Sequence, residues 1–360
     1  MKIVTILGAR PQFIKAGTVS REIQKQISNG KNIQEIIIHT GQHYDVNMSD
    51  IFFDEMHIPK PKYFLGIGGK SHGAMTGQMI ENIEEILIKE KPSWVLVYGD
   101  TNSTLAGAIA ASKLQINIAH VEAGLRSFNN QMPEEINRIL TDRLSRALFC
   151  PTKSAVVNLQ NEGIINWGGN SQVFHSGDVM QDGALYYSEI SKKPKINNIS
   201  NNFILCTIHR AENTDNLKHL NEIFSALNEI ADKQQIILPM HPRTKKIIES
   251  INIDTSRLTI IEPVSYLNMI WLLKHCSIVM TDSGGLQKEA FFFEKHCITL
   301  RNETEWVELV EKNLNKLVGT NKRKILATYE KMDFSSDFSL NLYGKGLASK
   351  KIVDALIEIH

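Results

Sequence analysis

Long apolar runs are missing from this 360-residue chain. The run inside "MKIVTILGARPQF" at the N-terminus is too short for a signal peptide and too punctuated for a membrane span. It reads instead as a first strand, and the chain is expected to be cytoplasmic with no membrane partner. Charge of one sign is missing too. The formal net charge is +1 with 22% charged residues, and no long basic or acidic block occurs. Nucleic acid is therefore not an expected partner, and any anionic ligand must be recognised locally. Cysteine is scarce: Cys150, Cys206, Cys276 and Cys297 lie far apart, each in or beside an apolar stretch. No pair has metal-ligand or redox spacing, so they are expected to be buried reduced thiols, with no bound metal. Two glycine signatures also fail. No G-x-G-x-x-G follows the first strand, which argues against a tightly bound nicotinamide or flavin. "GIGGKSHG" at 66–73 fails as a phosphate-binding P-loop, because Phe64 stands where the first glycine belongs and no clear strand precedes it.

What is present is a rhythm. Short β-branched runs recur between helical stretches: "KIVTIL", "EIIIHT", "WVLVYG", "NIAHVE", "ALFCPT" and "QVFHSG", then "NFILCTI", "QIILPM", "LTIIEP", "SIVMTD" and "CITLRN". Strands alternating with helices imply βαβ units and parallel sheets. Eleven such strands exceed one ordinary sheet, and the length suggests two domains. The polar stretch "EISKKPKINNISNN" at 189–202 is the best linker on composition. The expected fold is α/β, with two Rossmann-like domains facing each other across a cleft. Residues 1–172 form the first domain and 173–345 the second, and the helical segment 346–360 has the periodicity to pack on either.

In parallel sheets ligands bind beyond the carboxyl ends of the strands. Gly, Asp, Glu, His and Arg gather at that position in both halves: "LGARPQ", "HTGQHYD", "YGDTNST", "HVEAGLRS", then "TIHRAEN", "PMHPRT" and "TDSGGLQKEA". Asp100 and Glu122 sit at strand ends, and Glu134 and Glu135 follow Pro133 at the start of a helix. Taken singly, these are a capping residue, a salt-bridge partner of Arg126 and ordinary first-turn acids. Three carboxylate sites on βα loops of one domain suit acid/base work better. Arg10 and Lys15 follow the first strand, where cations meet phosphate. In the second half His209, Arg210, His241 and Arg243 end strands, and the Ser283-Gly284-Gly285 turn opens a helix whose free N–H groups suit a diphosphate. Glu289 lies too far along that helix for phosphate and suits a pair of hydroxyls.

With "GARPQFIKAG", "TGQHYD", "GDTNSTLAGA", "HVEAGLRS", "PEEINR", "CPT", "HRAEN", "HPRT", "TDSGGLQKEA" and "RNETEWVELV" in this order, the chain resembles the non-hydrolysing UDP-N-acetylglucosamine 2-epimerases along nearly its whole length. The resemblance implies a glycosyltransferase-B-like fold in which the C-terminal helix, 346–360, packs back on the first domain, and a homodimer without metal, nicotinamide or other cofactor. It implies a UDP-sugar substrate, epimerised at C2 by elimination of UDP to a 2-acetamidoglucal and re-addition. It also implies Asp100, Glu122, Glu134 and His209 as catalytic groups. The substrate ligands would be Arg10, Lys15, Arg138, His241, Ser283, Gly284, Gly285 and Glu289.

The chain departs from the family pattern in several places. Ala9 and Gln12 replace the usual Thr and Glu, Ala211 replaces an Arg, and Trp306-Val307 stand in the "TERPE" motif. Gly77-Gln78 replaces an Arg-Gln pair used for allosteric UDP-GlcNAc, so that activation is not expected. "GARPQFIKA", "VYGDTNST", "GDVM" and "TEWVE" look more like the branch acting on UDP-2,3-diacetamido-2,3-dideoxyglucuronate, in O-antigen or capsule synthesis. Loss of an acid at Gln12 fits a sugar carrying its own carboxylate. The alternatives are a glycosyltransferase of the same fold, a hydrolysing epimerase and a UDP-sugar sensor.

Overall fold

The computed structural model describes residues 1–42, 53–54, 56–164, 167, 170–333 and 335–360, and the side chain of Arg10 lies outside that description. His43, Tyr44 and Asp45 of the "TGQHYD" motif also lie outside the described residues. The chain divides into two compact units, Met1–Gly183 with Asn341–His360, and Ala184–Leu340. The division falls inside helix α6 (Val179–Glu189) rather than at residue 172 or in the polar stretch. The reason is a buried carboxylate: Asp182, in the first turn of α6, accepts the N–H groups of Ala348 and Ser349 at 3.1 and 2.7 Å. These open the last helix, α14 (Ala348–Glu358), which packs on α1 (Arg10–Ser28).

Unit 1 holds a seven-stranded parallel sheet in the order β3-β2-β1-β4-β5-β6-β7. Its strands are β1 (Lys2–Leu7), β2 (Gln34–His39), β3 (Tyr63–Phe64), β4 (Trp94–Tyr98), β5 (Asn117–Val121), β6 (Ala147–Cys150) and β7 (Gln172–His175). Unit 2 repeats the pattern as β10-β9-β8-β11-β12-β13. Here the strands are β8 (Ile204–Thr207), β9 (Ile236–Pro239), β10 (Thr259–Ile261), β11 (Ile278–Thr281), β12 (His296–Thr299) and β13 (Asn315–Leu317). Eleven of these are the strands expected from sequence. The other two, β3 and β13, are two and three residues long. β3 does precede the "GIGGKSHG" loop, with Tyr63 paired to Ile38 and Phe64 to His39.

The alternation of each strand decides its two faces. In unit 1 Val4, Ile6, Ile36, Ile38, Val95 and Val97 share one face with Met79, Ile83 and Leu87 of α2 (His72–Glu90). The alanines of α3 (Asn102–Lys113) complete that layer and let α3 lie close to α2. In unit 2 Ile204, Cys206, Ile236, Leu238, Ile278 and Met280 pack with Leu220, Phe224 and Leu227 of α8 (Leu217–Ala231). All four cysteines are buried and unbridged. No helix among the described residues is long and apolar enough to cross a membrane.

In both sheets the strand order reverses beside the first strand of the unit, between β1 and β4 and between β8 and β11. That reversal leaves a crevice at the carboxyl ends of the strands, because successive helices turn to opposite faces there. The loops after β1, β4, β8 and β11 are therefore the ones to inspect.

Candidate active site

In unit 1 the loop after β1 is set by Gln12. Its Oε1 accepts the N–H groups of Gly8 and Ala9 at 2.8 and 3.0 Å, and its Nε2 donates to the Tyr98 carbonyl and to Thr104 Oγ1 at 2.8 and 2.9 Å. The carboxamide is buried and all four of its hydrogen-bonding positions are used. Gln12 thus clasps the β1 and β4 loops together and does not face a ligand. The missing acid at this position therefore does not answer a carboxylate on the sugar. A carboxylate there would oppose the Tyr98 carbonyl with an oxygen instead of an N–H.

Glu122 follows β5 with a left-handed backbone, φ +75°. A non-glycine residue in this region is held by its surroundings at some cost. Its carboxylate is paired with Lys15 Nζ of α1, and both side chains are nearly buried. The expected partner, Arg126, is engaged elsewhere: it meets Asp142 at 2.7 Å and takes both oxygens of Glu162 at 2.6 and 2.8 Å. The Lys15–Glu122 pair lies over Gly99, where a β-carbon would stand 3.2 Å from both Glu122 Oε2 and Lys15 Nζ. Gly99 itself has φ +63°, so both space and backbone call for glycine.

Asp100 does not cap α3; Thr101 does, accepting the Thr104 N–H at 3.3 Å. Asp100 is instead paired with Arg138 of α4 (Pro133–Leu144). The other arm of Arg138 reaches Glu135 at 2.6 Å. The first-turn pair of α4 is split by burial. Glu135 is buried and accepts the N–H groups of Ser127 and Phe128, both at 2.9 Å. Burial alone would raise its carboxyl, but these N–H groups and Arg138 outweigh burial and hold it below the usual range. Glu134 faces solvent. Lys15 and Arg138, from the helices α1 and α4, thus meet Glu122 and Asp100 on the loops after β5 and β4, with Glu134 at the start of the helix that carries Arg138.

In unit 2 the organiser is Asp282, a residue that reads from sequence as only a possible cap. It is fully buried and accepts the His209 N–H at 3.1 Å, the Arg210 N–H at 3.1 Å and Asn213 Nδ2 at 3.1 Å. One side chain thereby ties the β8 loop to the β11 loop. His209 Nδ1 stands 3.5 Å from Asp282 Oδ1, with its ring half exposed. Ser283 is the N-cap of α11 (Gly284–Phe292). A β-carbon on Gly284 would lie 2.1 Å from Glu305 Oε1 and 3.8 Å from Arg210 Nη2, whereas Gly285 faces open space. The Glu305 carboxylate, held by Arg301 at 3.0 Å, therefore sits against the first turn of α11. Trp306 braces the same turn: its Nε1 donates to the Gly284 carbonyl at 2.9 Å, and its ring receives Lys288 Nζ at 4.1 Å.

Glu289, further along α11, is buried and accepts the Tyr266 hydroxyl at 2.9 Å. His241 caps α9 (Pro242–Ser250), its Nδ1 accepting the Arg243 N–H at 3.3 Å. Missed in the sequence are the pairing of Arg301 with Glu305, four residues apart on one loop, and the role of Asp282, whose backbone donors come from the β8 loop. The local signal was position, since Asp282 directly follows β11.

Two doubly wound parallel units in one chain, each with polar loops at its strand reversal, define the two-Rossmann, glycosyltransferase-B-like class. Within that class the comparisons are specific. The family model described as UDP-N-acetylglucosamine 2-epimerase matches residues 25–357. The UDP-2,3-diacetamido-2,3-dideoxy-D-glucuronate 2-epimerase of Pseudomonas aeruginosa is 52% identical, with 100% of each chain covered. The crystal structure of the Methanocaldococcus jannaschii UDP-GlcNAc 2-epimerase with UDP-GlcNAc and UDP superposes with TM-score 0.85 at 43% identity, over 99% of this chain and 100% of that one. The Neisseria meningitidis UDP-GlcNAc 2-epimerase bound to UDP-GlcNAc gives 0.86 at 32% identity, with coverage of 99% and 100%. The chain belongs to the UDP-N-acetylglucosamine 2-epimerase family.

Proposed function

We propose that this protein is a non-hydrolysing 2-epimerase of a UDP-N-acetylhexosamine, acting by elimination and re-addition of UDP. One observation carries the reading: Glu122 and Asp100 stand at the ends of adjacent strands, each against its own cation, Lys15 and Arg138. The hydrogen on C2 of such a sugar is not beside a carbonyl, so its removal to a free carbanion is prohibitive. A base that takes this proton while the C1–O bond breaks sends the electron pair out with UDP and leaves a C1=C2 double bond, a 2-acetamidoglucal. In return a UDP oxygen adds to C1 and an acid protonates C2 from the opposite face. Atoms and charge balance without a redox partner. Glu122, Asp100 and Glu134 are the groups we assign to the two proton transfers. His209 would assist the departing diphosphate. Arg10, Lys15, Arg138, His241, Ser283, Gly284, Gly285 and Glu289 would hold the nucleotide sugar.

For the substrate we favour the 2,3-diacetamido uronate, on the strength of the full-length Pseudomonas relative. The motif differences carry less than the sequence suggested. Gln12 and Trp306 are used within their own units, as is Asp178 of "GDVM", which accepts the Met180 N–H at 2.8 Å and donates its own N–H to Tyr343. A role in surface polysaccharide synthesis and a cytoplasmic site of action follow from such a substrate. A homodimer is supported by α4 and its N-cap, where Met132, Ile136, Leu140 and Leu144 form an exposed apolar ridge at four-residue spacing.

Proton NMR in D₂O, with UDP-GlcNAc and UDP-2,3-diacetamidoglucuronate offered separately, tests the reading. Deuterium should enter C2 and a manno-configured product should appear without free UDP building up. In the same assay Glu122→Gln should cut turnover by about 10²-fold or more while leaving UDP bound. Free UDP in step with product would indicate a hydrolysing enzyme, and no exchange with either sugar would overturn the proposal.

A further inference from the structure

His120, in "HVEAGLRS", is wholly buried on β5 and makes two hydrogen bonds of 2.7 Å. Nδ1 meets Asp142 Oδ1 of α4, and Nε2 meets the carbonyl oxygen of Gly99. A backbone carbonyl has no proton to give, so Nε2 must be a donor. Asp142 also accepts Arg126 Nη1 at 2.7 Å and the Gly124 N–H at 3.1 Å, both on Oδ2, so its Oδ1 is left to the ring. The imidazole thus bridges α4 to the Gly99 carbonyl.

We infer that His120 positions the candidate carboxylates, pinning the Gly99–Asp100 turn to α4 and to the loop that carries Glu122. The placement fits this task. Gly99 lies under the Lys15–Glu122 pair and directly precedes Asp100. Glu122 is two residues beyond His120, and Asp142 shares α4 with Glu134 and Arg138. Loss of the imidazole would leave the Gly99 carbonyl and Asp142 Oδ1 buried without this partner. His120 touches no reacting atom in this arrangement and acts only through the turn it holds.

The positioning role rests on the epimerase reading, which fails by itself if the unaltered protein turns over neither UDP-sugar. His120→Ala should lower kcat at least tenfold on whichever UDP-sugar is turned over, with UDP affinity held within twofold by calorimetry. His120→Gln, whose amide can donate to two acceptors, should recover part of that loss. Unchanged kcat, or equal losses of kcat and UDP affinity, would overturn the positioning role. Should the alanine variant fail to fold, the glutamine variant decides by the same split of kcat from UDP affinity.

Discussion

Glu35 on β2 carries an acid into a place built for neutral groups. The Thr5 and Ser20 hydroxyls donate to its Oε1 at 2.6 and 3.1 Å, while Oε2 is buried and finds no partner among the described residues. Burial raises this carboxyl above 4.5, against the lowering effect of the two hydroxyls. The folded state therefore holds the proton longer than the unfolded chain does. Its contribution is intact below pH 4.5 and is lost as pH rises toward the raised folded value. Glu35→Gln should be nearly neutral at pH 4 and more stable than the parent at pH 8, by on the order of 1 kcal/mol, as read from urea unfolding at the two pH values. At this scale the sequence was legible for residue type and position but not for partners. Glu122 and Asp100 were recognisable at strand ends, yet Glu122 meets Lys15, 107 residues away, and not Arg126 four residues on. Gln12 points inward because two loops need a shared clasp, and no local pattern announces that.

Among elements, the first turn of α11 joins what was legible to what was not. Ser283-Gly284-Gly285 reads from sequence as a helix start with free N–H groups, and it is one. The carboxylate that lies on it comes from Glu305, beyond β12. Gly284 needs no left-handed backbone, so alanine fits its φ, and the atom its methyl would meet is the end of a flexible, partly exposed side chain. Gly284→Ala should therefore change the melting temperature by only a few degrees. It should weaken UDP at least tenfold, because the methyl occupies the surface a phosphate must approach. Calorimetric titration with UDP beside a thermal melt separates the two effects, and retained affinity would remove this turn from the nucleotide site. Long elements were the legible ones. β3 and β13 escaped notice because two or three residues cannot display a period.

Over the whole molecule the chain leaves unit 1 inside α6 and re-enters it at Asn341, so that unit 2 is an insertion in its host. The return is held by Asp182 at the head of α14 and by the packing of that helix on α1. Truncation after Leu347 should uncover α1 and free the buried Asp182 carboxylate. The expected outcome is two separate melting transitions in calorimetry, with unit 1 lowered and unit 2 close to its original value; a single unshifted transition would show that α14 contributes little. Two parallel sheets followed from the strand rhythm, which lacked only β3 and β13. The return of the last helix to unit 1 came from the family resemblance alone, since a helix of ordinary periodicity does not say which surface it covers.

That insertion gives the order of synthesis a physical meaning. α1 leaves the ribosome early with Val19 and Ile23 made for burial, and α14 emerges only after the whole of unit 2. The inserted unit can finish folding while its host still waits for a helix. The apolar side of α1 is then open to other chains for most of translation, so the half-made protein is the form most in need of a chaperone.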